Sequence, residues 1–125
     1  MMKSNWDSID MILRCSFPKK EGWTMHQDFE LGDFEVDYVF VKEQTEMVFV
    51  LYMDGVYVQK DDVKLAKGVL TESQNFRQNH NIKVIMVYGK LLFAPENLPA
   101  NVTVWSASVD DVAVSDRLTS TPNLN

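Results

Sequence analysis

The chain has little of what marks a secreted, membrane-bound or cofactor-dependent protein. One cysteine in 125 residues, Cys15, excludes an internal disulfide and predicts a reducing compartment, read as the cytoplasm. No apolar run approaches the roughly 18 residues that a membrane span needs. The N-terminal MMKSNWDSID places acids and a tryptophan where a signal peptide has its apolar core. There is no HxH, Cys-x-x-Cys or HExxH, which removes the usual zinc patterns. The absence of G-x-G-x-x-G, a phosphate loop and G-x-S-x-G leaves no nucleotide or hydrolase signature. Neither an internal repeat nor a low-complexity segment is present.

Basic residues are missing from one stretch altogether. Residues 21–40 hold Glu21, Asp28, Glu30, Asp33, Glu35 and Asp37 and no Lys or Arg. The net charge of −6 disfavours sequence-independent binding to nucleic acid, which relies on Lys and Arg displacing counterions from phosphates. A nucleic-acid-binding module would need Arg14, Lys19, Lys20, Lys60, Lys64, Lys67, Arg77 and Lys83 to share one face.

What is present is ordinary for one globular domain, with 46% hydrophobic and 24% charged residues. The reading is a single α/β domain over 1–118 and a disordered tail, TSTPNLN, over 119–125. Residues 5–15 predict a helix burying Trp6, Ile9, Ile12 and Leu13, capped by Asn5 or Ser4, with Asp7 in its first turn and stopped by Pro18. Three strands follow over 23–31, 34–42 and 46–53, joined by Gly32-Asp33 and Glu43-Gln44-Thr45. In the second strand, strict alternation would put Phe34, Val36, Tyr38 and Phe40 on one face and Glu35, Asp37, Val39 and Val41 on the other. The third strand is apolar on both faces, as a central strand is.

A long helix spans 61–79, capped by Asp61 or Asp62, with an apolar stripe of Val63, Ala66, Val69, Leu70 and Phe76. Gly68 within it costs about 1 kcal/mol against Ala and so suggests close packing on the sheet. Strands over 82–88 and 102–106 complete the pattern, and 107–114 starts a short helix. The order is αβββαββ, a mixed sheet of about five strands flanked by helices. The step from 46–53 to 82–88 is a parallel β-α-β unit.

Candidate chemistry is sparse. His26, Asp28 and Glu30 alternate on one strand and face Glu35 and Asp37 on the next, but a polar outer sheet face has the same pattern. His80 sits at a helix end, where capping is its simplest role. Cys15 reads as a buried structural residue. Val56, Tyr57 and Val58 either extend the sheet or lead into the long helix. As an exposed edge they would form an interface with another chain.

Three features resemble the PD-(D/E)XK nuclease superfamily, whose fold is restriction-endonuclease-like: the element order over residues 5–106; GDFEVDYVFV; and MVFVLYM followed by a polar loop and an amphipathic helix. The resemblance places Asp37 at the family's metal-binding aspartate. It implies a Glu-x-Lys at the end of the third strand, where this chain has Leu51 and Met53. Carboxylates hold Mg²⁺ or Mn²⁺, and the lysine stabilises charge or orients water. Leu and Met do neither. A divergent nuclease would have to use Asp37 and Glu35 as metal ligands with a relocated lysine, Lys60, or draw on Glu46, Asp54, Asp61, Asp62, Lys64 or Lys67. The expectation is therefore a non-catalytic interaction protein without a cofactor, binding a protein partner or itself, with no membrane and with nucleic acid as the lesser possibility.

Overall fold

A computed structural model of the chain describes residues 2–43, 45–76, 80–95 and 97–106, with the backbone alone for 2–8 and 76. The expected helix over 107–114 and the tail from Thr119 lie outside these residues, as does the side chain of Trp6.

Helix α1 (Met2–Ser16) begins earlier than its apolar pattern suggested, so Ser4 and Asn5 are interior rather than caps and Asp7 lies beyond the first turn. Ile9 and Leu13 are buried, with Ile12 packed beside them. Cys15, expected to be buried, is exposed. It lies two residues past Leu13, about 200° around the helix axis, and so faces away from the sheet. After Pro18 a single 3-10 turn (Lys19–Glu21) closes on Gly22, whose φ of 99° favours glycine.

The strands are β1 (Trp23–Leu31), β2 (Phe34–Lys42), β3 (Glu46–Met53), β4 (Asn81–Tyr88) and β5 (Val102–Ser106), and the long helix is α2 (Lys60–Phe76). They form a five-stranded sheet in the order β1-β2-β3-β4-β5. The β1–β2 and β2–β3 pairs are antiparallel, while β3–β4 and β4–β5 are parallel. Val56–Val58 is not a strand: the chain bends there, and among the described residues the sheet edges are β1 and β5.

Among the described residues, each sheet face is covered by one helix. Ala66, Val69 and Leu70 of α2 pack with Met47, Phe49, Leu51 and Met53 of β3. Ile9 and Leu13 of α1 pack with Val48 and Val50 on the opposite side. The strict alternation of β3 between these two cores explains why its sequence is apolar throughout. Residues 77–79, expected to continue α2, lie outside the described residues. Asp61 and Asp62, the two alternatives expected for the cap, both sit inside the first turn, and Asp62 accepts the Gln59 N–H at 3.2 Å. The same carboxylate accepts the Tyr88 hydroxyl at 2.7 Å, tying the start of α2 to the end of β4. Gly68 is a point of close approach: a methyl group there would lie 2.6 Å from Cζ of Phe34.

The β1–β2 hairpin departs from simple alternation. Phe34 and Val36 face α2, whereas Tyr38 and Phe40 face α1. Phe29 and Leu31 of β1 also face α2, while Trp23 and Met25 face α1. Both strands therefore exchange faces at Asp28 and Asp37. Asp28 has a left-handed φ of 51°, which rotates the side chains that follow. Asp tolerates this conformation better than most residues. Gln27 pairs with Tyr38 and Phe29 with Val36, so the register is the same on either side of the switch.

Candidate functional site

The face switch gathers the acidic residues. Glu30 lies directly opposite Glu35, and Asp28, Glu30, Glu35 and Asp37 line a polar cavity of about 280 Å³ with Val36. A second cavity of about 190 Å³ joins Asp28 and Asp37 to Gln27, Tyr38 and Tyr52. His26 lines neither; it is exposed and pairs with Val39. Among the described residues, no three His, Cys, Asp or Glu side chains converge on a point that would hold a metal ion. The carboxylates share an opening without forming a coordination shell.

Asp37 is the inner member of the group. Its Oδ2 accepts the backbone N–H of Tyr52 at 2.7 Å. Burial raises its pKa; the Tyr52 N–H opposes that, and the charges of Asp28 and Glu35 add to it. Tyr38 pairs with Val50, which carries Asp37 along β3 to the level of Leu51. Leu51 and Met53 point into the apolar core beneath α2. The Glu and Lys positions implied by the resemblance are thus filled by core side chains.

The other expected residues are dispersed. Glu35 is exposed at the rim. Lys60 is the first residue of α2 and is exposed, and it lines neither cavity that contains Asp37. Glu46 pairs with Lys42 at the far end of β3. Asp54, Asp61, Lys64 and Lys67 are exposed. The basic residues do not gather on one face: Arg14 lies on α1, while Lys64 and Lys67 lie on α2, across the sheet. Tyr57 is exposed and stacks on Phe93, with ring centroids 5.6 Å apart. The Val56 carbonyl accepts the Leu92 N–H at 3.0 Å, joining the two loops. Val58 packs against the α2-side core.

Sequence reasoning missed a polar and aromatic network on the α1 face. Arg14 Nε lies 2.7 Å from Asp10 Oδ2, and the Tyr38 hydroxyl donates to Asp10 Oδ1. Burial acts to raise the Asp10 pKa, but the bonds from Arg14 and Tyr38 outweigh it and hold the carboxyl below its usual value. Burial and the Asp10 bond raise the Tyr38 pKa. The Tyr52 hydroxyl is raised further, first by burial and then by Tyr38. Tyr52 meets Tyr38 edge-on, Tyr38 stacks on Phe40, Phe40 on Phe17, and Phe17 meets Trp23 edge-on. A continuous row of rings therefore runs from the Asp37 site to the opposite end of the hairpin. Its only trace in the sequence was the density of aromatics, which read as core.

These features define a restriction-endonuclease-like α/β fold with a mixed sheet. The fold is similar to that of a repair endonuclease from Pyrococcus abyssi, with a TM-score of 0.52 and 14% sequence identity. The match covers 78% of this chain and 44% of the endonuclease, so the chain spans less than half the length of that protein. No protein-family model matches the chain. No curated protein matches it in sequence. Among the described residues, no helix is long and apolar enough to cross a membrane.

Proposed function

We propose that this chain is a non-catalytic interaction protein on a nuclease-like scaffold, binding a protein partner or another copy of itself in a reducing, cytoplasmic setting. The observation that carries this reading is the surrounding of Asp37. Its carboxylate is engaged by the Tyr52 backbone N–H, and the neighbouring positions that catalysis needs are the core residues Leu51 and Met53. Metal-assisted phosphodiester hydrolysis requires a cation held by several oxygens and a group to stabilise developing charge. Asp37 and Glu35 alone do not make such a site. The single exposed cysteine supports the reducing compartment.

The fold's likeness to a repair endonuclease favours a second reading, a divergent nuclease that uses Asp37, Glu35 and Lys60 with Mg²⁺ or Mn²⁺. Labelled single- and double-stranded DNA and RNA, incubated with purified protein and either metal, separate the two. The interaction reading expects no cutting by wild type or Asp37→Ala. Metal-dependent cutting that disappears in Asp37→Ala would establish the nuclease.

A further inference from the structure

A further concavity, apolar rather than acidic, lies at the other end of the hairpin. A cavity of about 390 Å³ is floored by Phe17, Trp23, Met25 and Phe40 and rimmed by Arg14 and Lys19. Its volume falls within the range of small-ligand and side-chain pockets. Phe40 is fully buried and Trp23 nearly so, and the partly buried Phe17 and Met25 pack against them. Lys42 Nζ sits 5.8 Å from the centre of the Trp23 ring, and Lys20 follows Lys19 in the turn. Arg14 gives its Nε to Asp10, while its terminal nitrogens have no partner among the described residues. Arg14 and Lys19 line the pocket and Lys20 and Lys42 lie beside it, outnumbering Glu21 of the same turn and Glu46 opposite Lys42, in a chain of net charge −6.

The same place offers backbone as well. Thr24 and Met25 line the cavity and belong to β1, the edge of the sheet. Nothing among the described residues pairs with the outer side of β1. An open edge presents unpaired N–H and C=O groups and accepts an added strand. A compact anionic ligand would use the pocket and the cations but would leave the edge unpaired. A nucleic acid would meet the cations but has no N–H and C=O ladder to match β1. An extended peptide matches all three features at once.

We infer that β1 and its adjoining aromatic pocket bind an extended acidic segment of a partner protein, one bulky apolar side chain entering the pocket while flanking carboxylates meet Arg14, Lys19, Lys20 and Lys42. The segment adds a strand to the outer edge of β1. This rests on the interaction reading and names the chemistry of the partner.

The test is fluorescence anisotropy with full-length protein and a labelled heptapeptide carrying one phenylalanine between glutamates. Four comparisons decide it: the same peptide with alternate backbone amides N-methylated, the peptide with phenylalanine replaced by alanine, the Lys19→Glu protein, and raised ionic strength. Lys19 is exposed, and a melting curve checks that the Lys19→Glu variant folds. The expected result is saturable binding at low salt, weakened about tenfold or more by each change, that is, by about 1.4 kcal/mol or more. No binding at low salt would overturn the inference. So would binding indifferent to N-methylation, or displacement of the peptide by a single-stranded oligonucleotide that binds more tightly. Anisotropy does not depend on cleavage, so the two proposals fail separately. Nucleic-acid cutting sinks the interaction reading, whereas loss of peptide binding without cutting sinks only the assignment of this surface.

Discussion

The two ends of the β1–β2 hairpin are built from the same pair of strands and have opposite character. Near the turn, Asp28, Glu30, Glu35 and Asp37 surround polar cavities, and the apolar side chains beneath them face α2. At the open end, Trp23, Met25 and Phe40 face α1 and make a pocket rimmed by Arg14 and Lys19. The boundary is the left-handed Asp28 and its neighbour Asp37, where both strands change faces in unchanged register. One local backbone conformation thus lets a nine-residue strand serve two cores. Acidic residues lie on one side of this boundary, and Arg14, Lys19 and Lys42 lie on the other. Asp37 lies on the acidic side, and the apolar pocket lies on the other.

The largest effect that would break this contrast is at the open end. Phe40→Ala removes a fully buried ring stacked between Phe17 and Tyr38 and opens the floor of the pocket. Chemical denaturation should show a loss of about 3–5 kcal/mol. A loss below about 1 kcal/mol would mean that the pocket floor is not part of the core.

The switch itself is tested at Asp28. A β-branched residue is strained in the left-handed region, so Asp28→Val should destabilise by about 1–2 kcal/mol. Asp28→Gly should be neutral or stabilising in the same denaturation assay, because glycine adopts that φ freely. Equal losses from both would show that the Asp28 side chain, rather than its backbone, holds the switch.

A smaller effect is expected where the turn end packs on α2. Helix propensity alone predicts that Gly68→Ala stabilises by about 1 kcal/mol. The Phe34 ring occupies the space the methyl would take, and overpacking of this kind costs about 1–3 kcal/mol. The net change should therefore be a loss in the melting temperature. It should be relieved when Phe34→Leu is added, with the two changes non-additive as expected for side chains in contact.

The layers of the fold were legible because β3 and β4 are apolar runs too short for helices and α2 carries a clear stripe. The resemblance to a nuclease scaffold rested on the same pattern and on GDFEVDYVFV, and the structural likeness supports the fold. The face switch was not legible. It depends on the φ of Asp28, and a strand read by alternation assigns Tyr38 and Phe40 to the side of Phe34 and Val36. The acidic gathering was half legible: Glu30 and Glu35 follow from hairpin pairing, while His26 leaves the group once the strands turn over. The aromatic pocket was invisible because α1, the 3-10 turn and both strands of the hairpin each supply only part of it. Cys15 failed for a simpler reason: it lies about 200° around α1 from buried Leu13, on the exposed side.

The most direct measurement is the melting temperature of wild type and Asp37→Asn across pH, with and without Mn²⁺. The folded protein raises the Asp37 pKa above its ordinary 3.8, chiefly by burial. An ionised Asp37 therefore weakens the fold, and this penalty grows as pH rises from the unfolded value through the folded one. Asparagine keeps an oxygen for the Tyr52 N–H without the charge. The account predicts that Asp37→Asn melts higher than wild type at neutral pH, that the gap closes as pH falls below about 3.8, and that Mn²⁺ moves neither protein. A variant that melts lower at neutral pH, together with a Mn²⁺ stabilisation present in wild type and absent from Asp37→Asn, would show that Asp37 is a metal ligand and contradict the account.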